Sequence, residues 1–185
     1  MHRISTPVLT VAIALAVAGG AAAQTPRPDQ QQPARETAAR TSSADSEFAQ
    51  KAAMGGKHEV EGAKFAAGKA SNAGVKSLAN KLVKDHTAAN NELTNMMKKK
   101  QIAPAADDSK PAEAWRNETG AAFDRAYLDH VIAEHEKDIA LFEAEAKDGA
   151  DAELKAWAAK KLPTLRAHLK TAQDQKAKLQ ATSSH

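Results

Sequence analysis

Cysteine is missing from all 185 residues, which excludes disulfides, thiolate metal sites and thiol catalysis in whatever compartment the chain works. Aromatic residues are scarce, 4% of the chain with a single tyrosine, so no platform for stacking bases is visible. A large excess of one charge is lacking as well. The 26 Lys and Arg against 23 Asp and Glu give a net charge of +3 and a pI near 9.0, and the two signs are mixed along the chain. That distribution argues against nucleic acid as the main partner. No glycine-rich phosphate loop, dinucleotide fingerprint or serine–histidine–acid arrangement is recognisable.

Long apolar runs are also absent, with one exception at the start. There, Arg3 precedes an apolar run over 7–18 and small residues up to Ala23. This pattern predicts a secretory signal peptide over 1–23, cut after Ala21, Ala22 and Ala23 to leave Gln24 first. The run is too short for a comfortable membrane span, and without cysteine there is no lipidated N-terminal thiol. The mature protein is expected to be periplasmic or secreted, with no stable membrane anchor. Removing 1–23 takes away Arg3 alone among the charged residues and leaves a net charge of +2. Residues 24–44 hold three prolines and a glutamine run without apolar periodicity, which predicts a disordered tether.

What the chain has in quantity is alanine at helical spacing. The organising stretch is VKSLANKLVKDHTAANNELTNMM over 75–97, where Val75, Ala79, Leu82, Ala89, Leu93 and Met96 share one stripe with His86. Upstream, Asp45 or Ser46 is expected to cap a first helix with the stripe Phe48, Ala52, Gly55, Glu59, Ala63 and Ala66. Gly55, Gly56 and Gly62 are poor helix formers and point to close packing or a local irregularity. A short turn over 70–74 joins these two helices, and the second ends in Lys98, Lys99 and Lys100, cations suited to a helix C-terminus.

Over 101–117 two prolines break the pattern, predicting a crossover in which Trp115 plugs one end of the bundle. A third helix over 119–147 turns Phe123, Leu128, Val131, Ile132, Ile139 and Phe142 inward, with His135 on the same stripe. Gly149 closes it and Asp151 caps a fourth helix carrying Leu154, Ala158, Leu162, Leu165, Leu169, Ala172 and Leu179, with His168 beside Leu169. Pro163 predicts a kink or break in that helix. Residues 181–185 are expected to fray. The fold class is therefore all-α: a ferritin-like four-helix bundle over 45–180, made of two helical hairpins joined by a long crossover. A weak likeness between the second and fourth helices, each with lysine, apolar residues and then histidine, agrees with paired hairpins.

Glu59, His86, His135 and His168 each fall on or beside a core-facing stripe, one from each helix. At ~1.5 Å per residue the first three lie near one level, and His168 lies some ~7 Å deeper. Three imidazoles and a carboxylate converging in a bundle core suit one transition-metal ion, such as zinc, iron, manganese or copper. The competing reading is that each histidine is a hydrogen-bonded core residue. His130 with Glu134 and His135 with Asp138 are further pairs that would add a ligand, orient one, or form surface ion pairs. Asp85 points roughly 100° from His86, toward a neighbouring helix end or solvent. Asp124, Arg125 and Tyr127 form a candidate hydrogen-bond cluster near the crossover. No Glu-x-x-His occurs, which separates this chain from di-iron carboxylate bundles.

The segments DSEFAQKAAMGGKHEVEGAKFA, VKSLANKLVKDHTAANNEL, GAAFDRAYLDHVIAEHEKDIALFEAEAKDG and LKAWAAKKLPTLRAHL resemble the exported bacterial proteins grouped as domain of unknown function family 4142. The resemblance covers roughly 46–179, and it implies a ferritin-like bundle outside the cytoplasm with no assigned activity. Two functional classes stay open: an exported bundle that holds a metal ion or small ligand in its polar core, and a non-catalytic structural or stress-related envelope protein. A metal-dependent enzyme is the weaker third. A cleaved leader predicts that mass spectrometry of protein recovered from the native host's envelope finds Gln24, or a residue within a few of it, at the N-terminus. An intact Met1 contradicts it.

Overall fold

The computed structural model describes residues 41–106 and 113–183. The signal-peptide assignment over 1–23 and the tether up to residue 40 lie outside the described residues, as do 184 and 185. Among the described residues four α-helices follow in order: α1, Ser43–Lys69; α2, Ala73–Lys100; α3, Gly120–Asp148; and α4, Ala152–Ser183, with a 3-10 turn at Ala114–Asn117 before α3. Two hairpins, α1–α2 and α3–α4, pack so that α1 lies against α3 and α2 against α4. The bundle is all-α, and α3 starts beside the α1–α2 turn.

Several helix ends depart from the expectation. The cap of α1 is Ser42, not Asp45 or Ser46: the Ser42 hydroxyl accepts from the Asp45 N–H at 3.1 Å, and the Asp45 carboxylate accepts from the Ser42 N–H at 2.8 Å. The reciprocal box satisfies two otherwise orphaned donors, so the helix begins at Ser43, inside the stretch read as tether. At the other terminus, residues 181–183 remain helical instead of fraying. Nor does Pro163 break α4, which runs through it. Its ring forfeits one bond to the Ala159 carbonyl, and that loss is borne on the exposed side of the helix.

Carboxylates tie the helices together at both ends. At one end, Asp45 also accepts from the backbone of Ala150 at 2.9 Å and Asp151 at 3.2 Å, fastening the start of α1 to the α3–α4 turn. Asp151 caps α4 through Glu153 and Leu154, and its second oxygen takes Thr41 and Lys100. Lys100 is thus a specific ion-pair partner, reaching Glu153 as well at 3.1 Å. At the opposite end, Asp124 accepts from the backbone of Ser71 at 3.0 Å and Asn72 at 2.8 Å. Asn72 in turn caps α2.

Two apolar clusters fill the interior. One, near the Asp45 end, is built around Phe48, Leu93, Phe142, Leu154 and Trp157. The other, near the Asp124 end, is built around Val75, Leu82, Phe123, Tyr127 and Leu128. Trp115 closes the second cluster as expected, packing on Phe65, Phe123, Tyr127 and the His130 ring. Gly56 answers for one of the three helix-one glycines: a Cβ there would overlap the Asn90 amide of α2. Between the apolar clusters lies a polar layer. Because the Asp45 carboxylate serves three backbone N–H groups, drawn from both hairpins, Asp45→Ala is expected to lower stability by about 3 kcal/mol. Urea denaturation checks this, and a loss below about 1 kcal/mol contradicts it.

Candidate metal centre

The polar layer brings together all four residues singled out on the stripes. His86, His135 and His168 are buried, at 6%, 0% and 1% exposure. Their ring centroids form a triangle with every side 5.4 Å, and one ring nitrogen from each lies within 4.8 Å of the others. The depth offset expected for His168 is absorbed by side-chain direction. Helical side chains lean toward the N-terminus of their own helix. On the antiparallel α3 and α4 this brings His135 and His168 toward each other.

Each imidazole has one nitrogen turned outward to an acceptor. His86 Nδ1 lies 3.0 Å from Glu59 Oε2. His135 Nδ1 lies 3.0 Å from the Val131 carbonyl and 3.3 Å from Glu59 Oε1. His168 Nε2 lies 2.9 Å from Asp85 Oδ2. Carbonyl and carboxylate oxygens only accept, so these three outward nitrogens carry the protons of the neutral rings. The inward nitrogens, His86 Nε2, His135 Nε2 and His168 Nδ1, are then lone pairs. His86 Nε2 is buried without a hydrogen-bond partner among the described residues. His135 Nε2 and His168 Nδ1 stand 3.3 Å apart. Two lone pairs repel at that distance unless a proton or a cation lies between them. At Zn–N bonds near 2.0–2.1 Å, tetrahedral geometry separates two nitrogens by about 3.3 Å.

Electrostatics keeps the rings in the metal-binding form. Burial pushes the His135 and His168 imidazoles down to about 4 from 6.5, and the carboxylates of Glu59 and Asp85 offset only part of that. Burial lowers His86 as well. Neutral imidazole is the ligating species. Asp85 stays ionised: although burial opposes it, hydrogen bonds from Lys81 and His168 hold its carboxyl below the usual range. Asp138 behaves oppositely. Burial and the adjacent Glu59, with which it shares a hydrogen bond, push its carboxyl well above the usual range, so it keeps a proton at neutral pH.

The four stripe residues divide by geometry. The three histidines face one another, and Glu59 stands behind two of them, on their outer nitrogens. Two participants were not legible as such. Asp85 points across to His168 on α4, not to solvent, and Asp138 meets Glu59, not His135. The sole sequence signal for Asp85 is Lys81 one turn earlier, to which it is paired at 2.6 Å. The remaining candidates lie elsewhere: His130 stacks on Trp115 and meets Glu113 at 3.3 Å, and Glu134 pairs with Lys137 on the surface. Asp124 serves the α1–α2 turn instead of a cluster with Arg125 and Tyr127.

The model of the family described as "Domain of unknown function (DUF4142)" matches residues 30–174. No curated protein matches the chain significantly. Among solved structures, a DUF305 fragment from Deinococcus radiodurans superposes with a TM-score of 0.68 at 15% identity, over 75% of this chain and 98% of that one. A DUF305 protein from Streptomyces coelicolor does so with a TM-score of 0.66 at 13% identity, over 74% and 93%. These likenesses show a shared helical fold. Among the described residues no helix is long and apolar enough to cross a membrane.

The opposed shifts give a pH test on metal-free protein. The unfolded chain protonates its histidines near 6.5, whereas the native His135 and His168 wait until about 4, so each destabilises the fold as pH falls between those values. The raised Asp138 binds its proton more tightly when folded, so it stabilises on acidification and opposes the histidines. Asp138→Asn removes that opposition. Between pH 7 and pH 5, chelator-treated Asp138→Asn protein is expected to lose on the order of 2 kcal/mol more than wild type. Equal losses in urea titrations contradict the assignment.

Proposed function

The chain belongs to the DUF4142 family, and because that description assigns no activity we propose its function from the site: an exported helical-bundle protein that holds one transition-metal ion on His86, His135 and His168. Glu59 and Asp85 fix the rings. The observation that carries this reading is the proton count. With the outer His135 and His168 nitrogens donating to Val131 and Asp85, and His86 Nδ1 set 3.0 Å from the Glu59 carboxylate, three inward lone pairs converge. Burying them without a cation is costly.

All-nitrogen neutral donors favour borderline ions such as zinc, copper(II), nickel or cobalt over hard oxygen-seeking ones. The carboxylate behind each imidazole is the usual outer support of a metal-bound histidine, raising its basicity and fixing its orientation. Export is supported by the leader-like 1–23. The alternative is a structural envelope protein whose imidazoles only hydrogen-bond, and one contact favours it: a proton between His135 Nε2 and His168 Nδ1 at 3.3 Å.

Calorimetry of untagged protein separates the two. Added metal at 100 times Kd is expected to stabilise wild type by about 2.7 kcal/mol. His86→Ala, His135→Ala and His168→Ala each abolish that increment, while His58→Ala, outside the converging rings, retains it. Glu59→Gln, with one carbonyl oxygen to serve two imidazoles, retains binding weakened about 10–100-fold. Identical melting curves for wild type with and without zinc, copper, nickel and cobalt favour the hydrogen-bonded core.

A further inference from the structure

Resting on that reading of the three histidines, we propose that the centre keeps one coordination position open toward a cleft between α2 and α4, where the carboxylate of a small organic acid binds the ion and its apolar body lies along the cleft.

The cleft has a volume of about 500 Å³, within the range of small-molecule sites. His86 and His168 line it with Glu59 and Asp138, whereas His135 does not. An ion on the three rings is therefore approached across the His86–His168 edge, with His135 behind. Glu59 faces the outer nitrogens and Asp138 is engaged with Glu59. Three histidines thus leave a tetrahedral ion one position short, the arrangement that admits an outside ligand.

The opening is built into the way α2 and α4 meet. Two polar links between these helices flank the cleft. Asp85 bonds His168, and two turns along α2 Glu92 accepts from Trp157 Nε1 at 3.0 Å and pairs with Lys161 at 2.7 Å. Between the links α2 presents Ala88 and Ala89, and α4 presents Pro163 and Thr164. These short or compact side chains leave the space between two fastened helices unfilled.

Charge and lining select the ligand. Lys81 is offset by Asp85 and Lys161 by Glu92. The imidazoles are neutral, and Glu59 with its hydrogen-bonded Asp138 carries one negative charge. A divalent ion then leaves one positive charge, which a monoanion neutralises in a half-enclosed site where uncompensated charge is unfavourable. Phe142, Trp157 and Leu165 line the same cleft, so an anion with an apolar body gains burial that an inorganic anion does not.

Cobalt(II)-loaded wild-type protein, followed by visible absorption, tests this separately from metal binding. The titrants are azide, acetate, butyrate, hexanoate and phenylacetate. The expected result is a cobalt spectrum shifted by every anion, with affinity rising about fourfold per buried methylene from acetate to hexanoate. A cobalt spectrum that no anion shifts overturns the open position while leaving the metal site standing. Shifts with azide and acetate but no gain along the series overturn the organic ligand. Absence of any protein-bound cobalt spectrum overturns the metal reading and this inference with it.

Discussion

The bundle depends on one carboxylate placed between two imidazoles. Glu59 contacts the Nδ1 atoms of both His86 and His135, and those rings then present their other nitrogens to His168. Without that carboxylate the His86 N–H would have no acceptor, His135 would keep only the Val131 carbonyl, and the His86 ring would be free to turn. Each unmet buried donor costs about 1–3 kcal/mol. The polar layer would then separate the two apolar clusters instead of joining them. Asp138 completes the arrangement by keeping a proton and donating toward Glu59, so the layer holds one negative charge instead of two.

The ends of the bundle follow the same logic with different partners. Asp45 and Asp124 each gather backbone N–H groups from the turn of the other hairpin, while Asp151 caps its own helix and takes the Thr41 and Lys100 side chains. These carboxylates set the vertical register of the hairpins. Register in turn decides whether His86, His135 and His168 share a level, so the buried capping network and the candidate centre are parts of one constraint. Two polar links across α2 and α4 then hold the mouth of the centre at a fixed width.

Periodicity made the helices, the crossover and the inward position of all four layer residues legible, because each lies three or four residues from an apolar neighbour on its own helix. Helix ends were less legible. Ser42 and Asp45 act as a reciprocal pair, and either alone looks like a cap. Roles that depend on a neighbouring helix were not legible at all. Asp85 sits about 100° from His86, and nothing within α2 says that α4 brings His168 to that flank. Counting residues from the turn overstated the depth of His168, since the count follows Cα positions and ignores the opposed lean of side chains on antiparallel helices. Glu59 was legible as a member of the layer, but its place on the outer nitrogens depends on ring orientation.

The central claim is that three inward lone pairs converge on one ion while Glu59 stays behind the rings. X-ray absorption fine structure of protein loaded with one equivalent of zinc or copper tests it most directly. The expected spectrum has three imidazole nitrogens bound at ~2.0–2.1 Å, with outer-ring scattering typical of histidine and any remaining position filled from solution. A first shell of oxygens alone, or one imidazole with the rest oxygen, would contradict it and place the bound ion elsewhere on the protein.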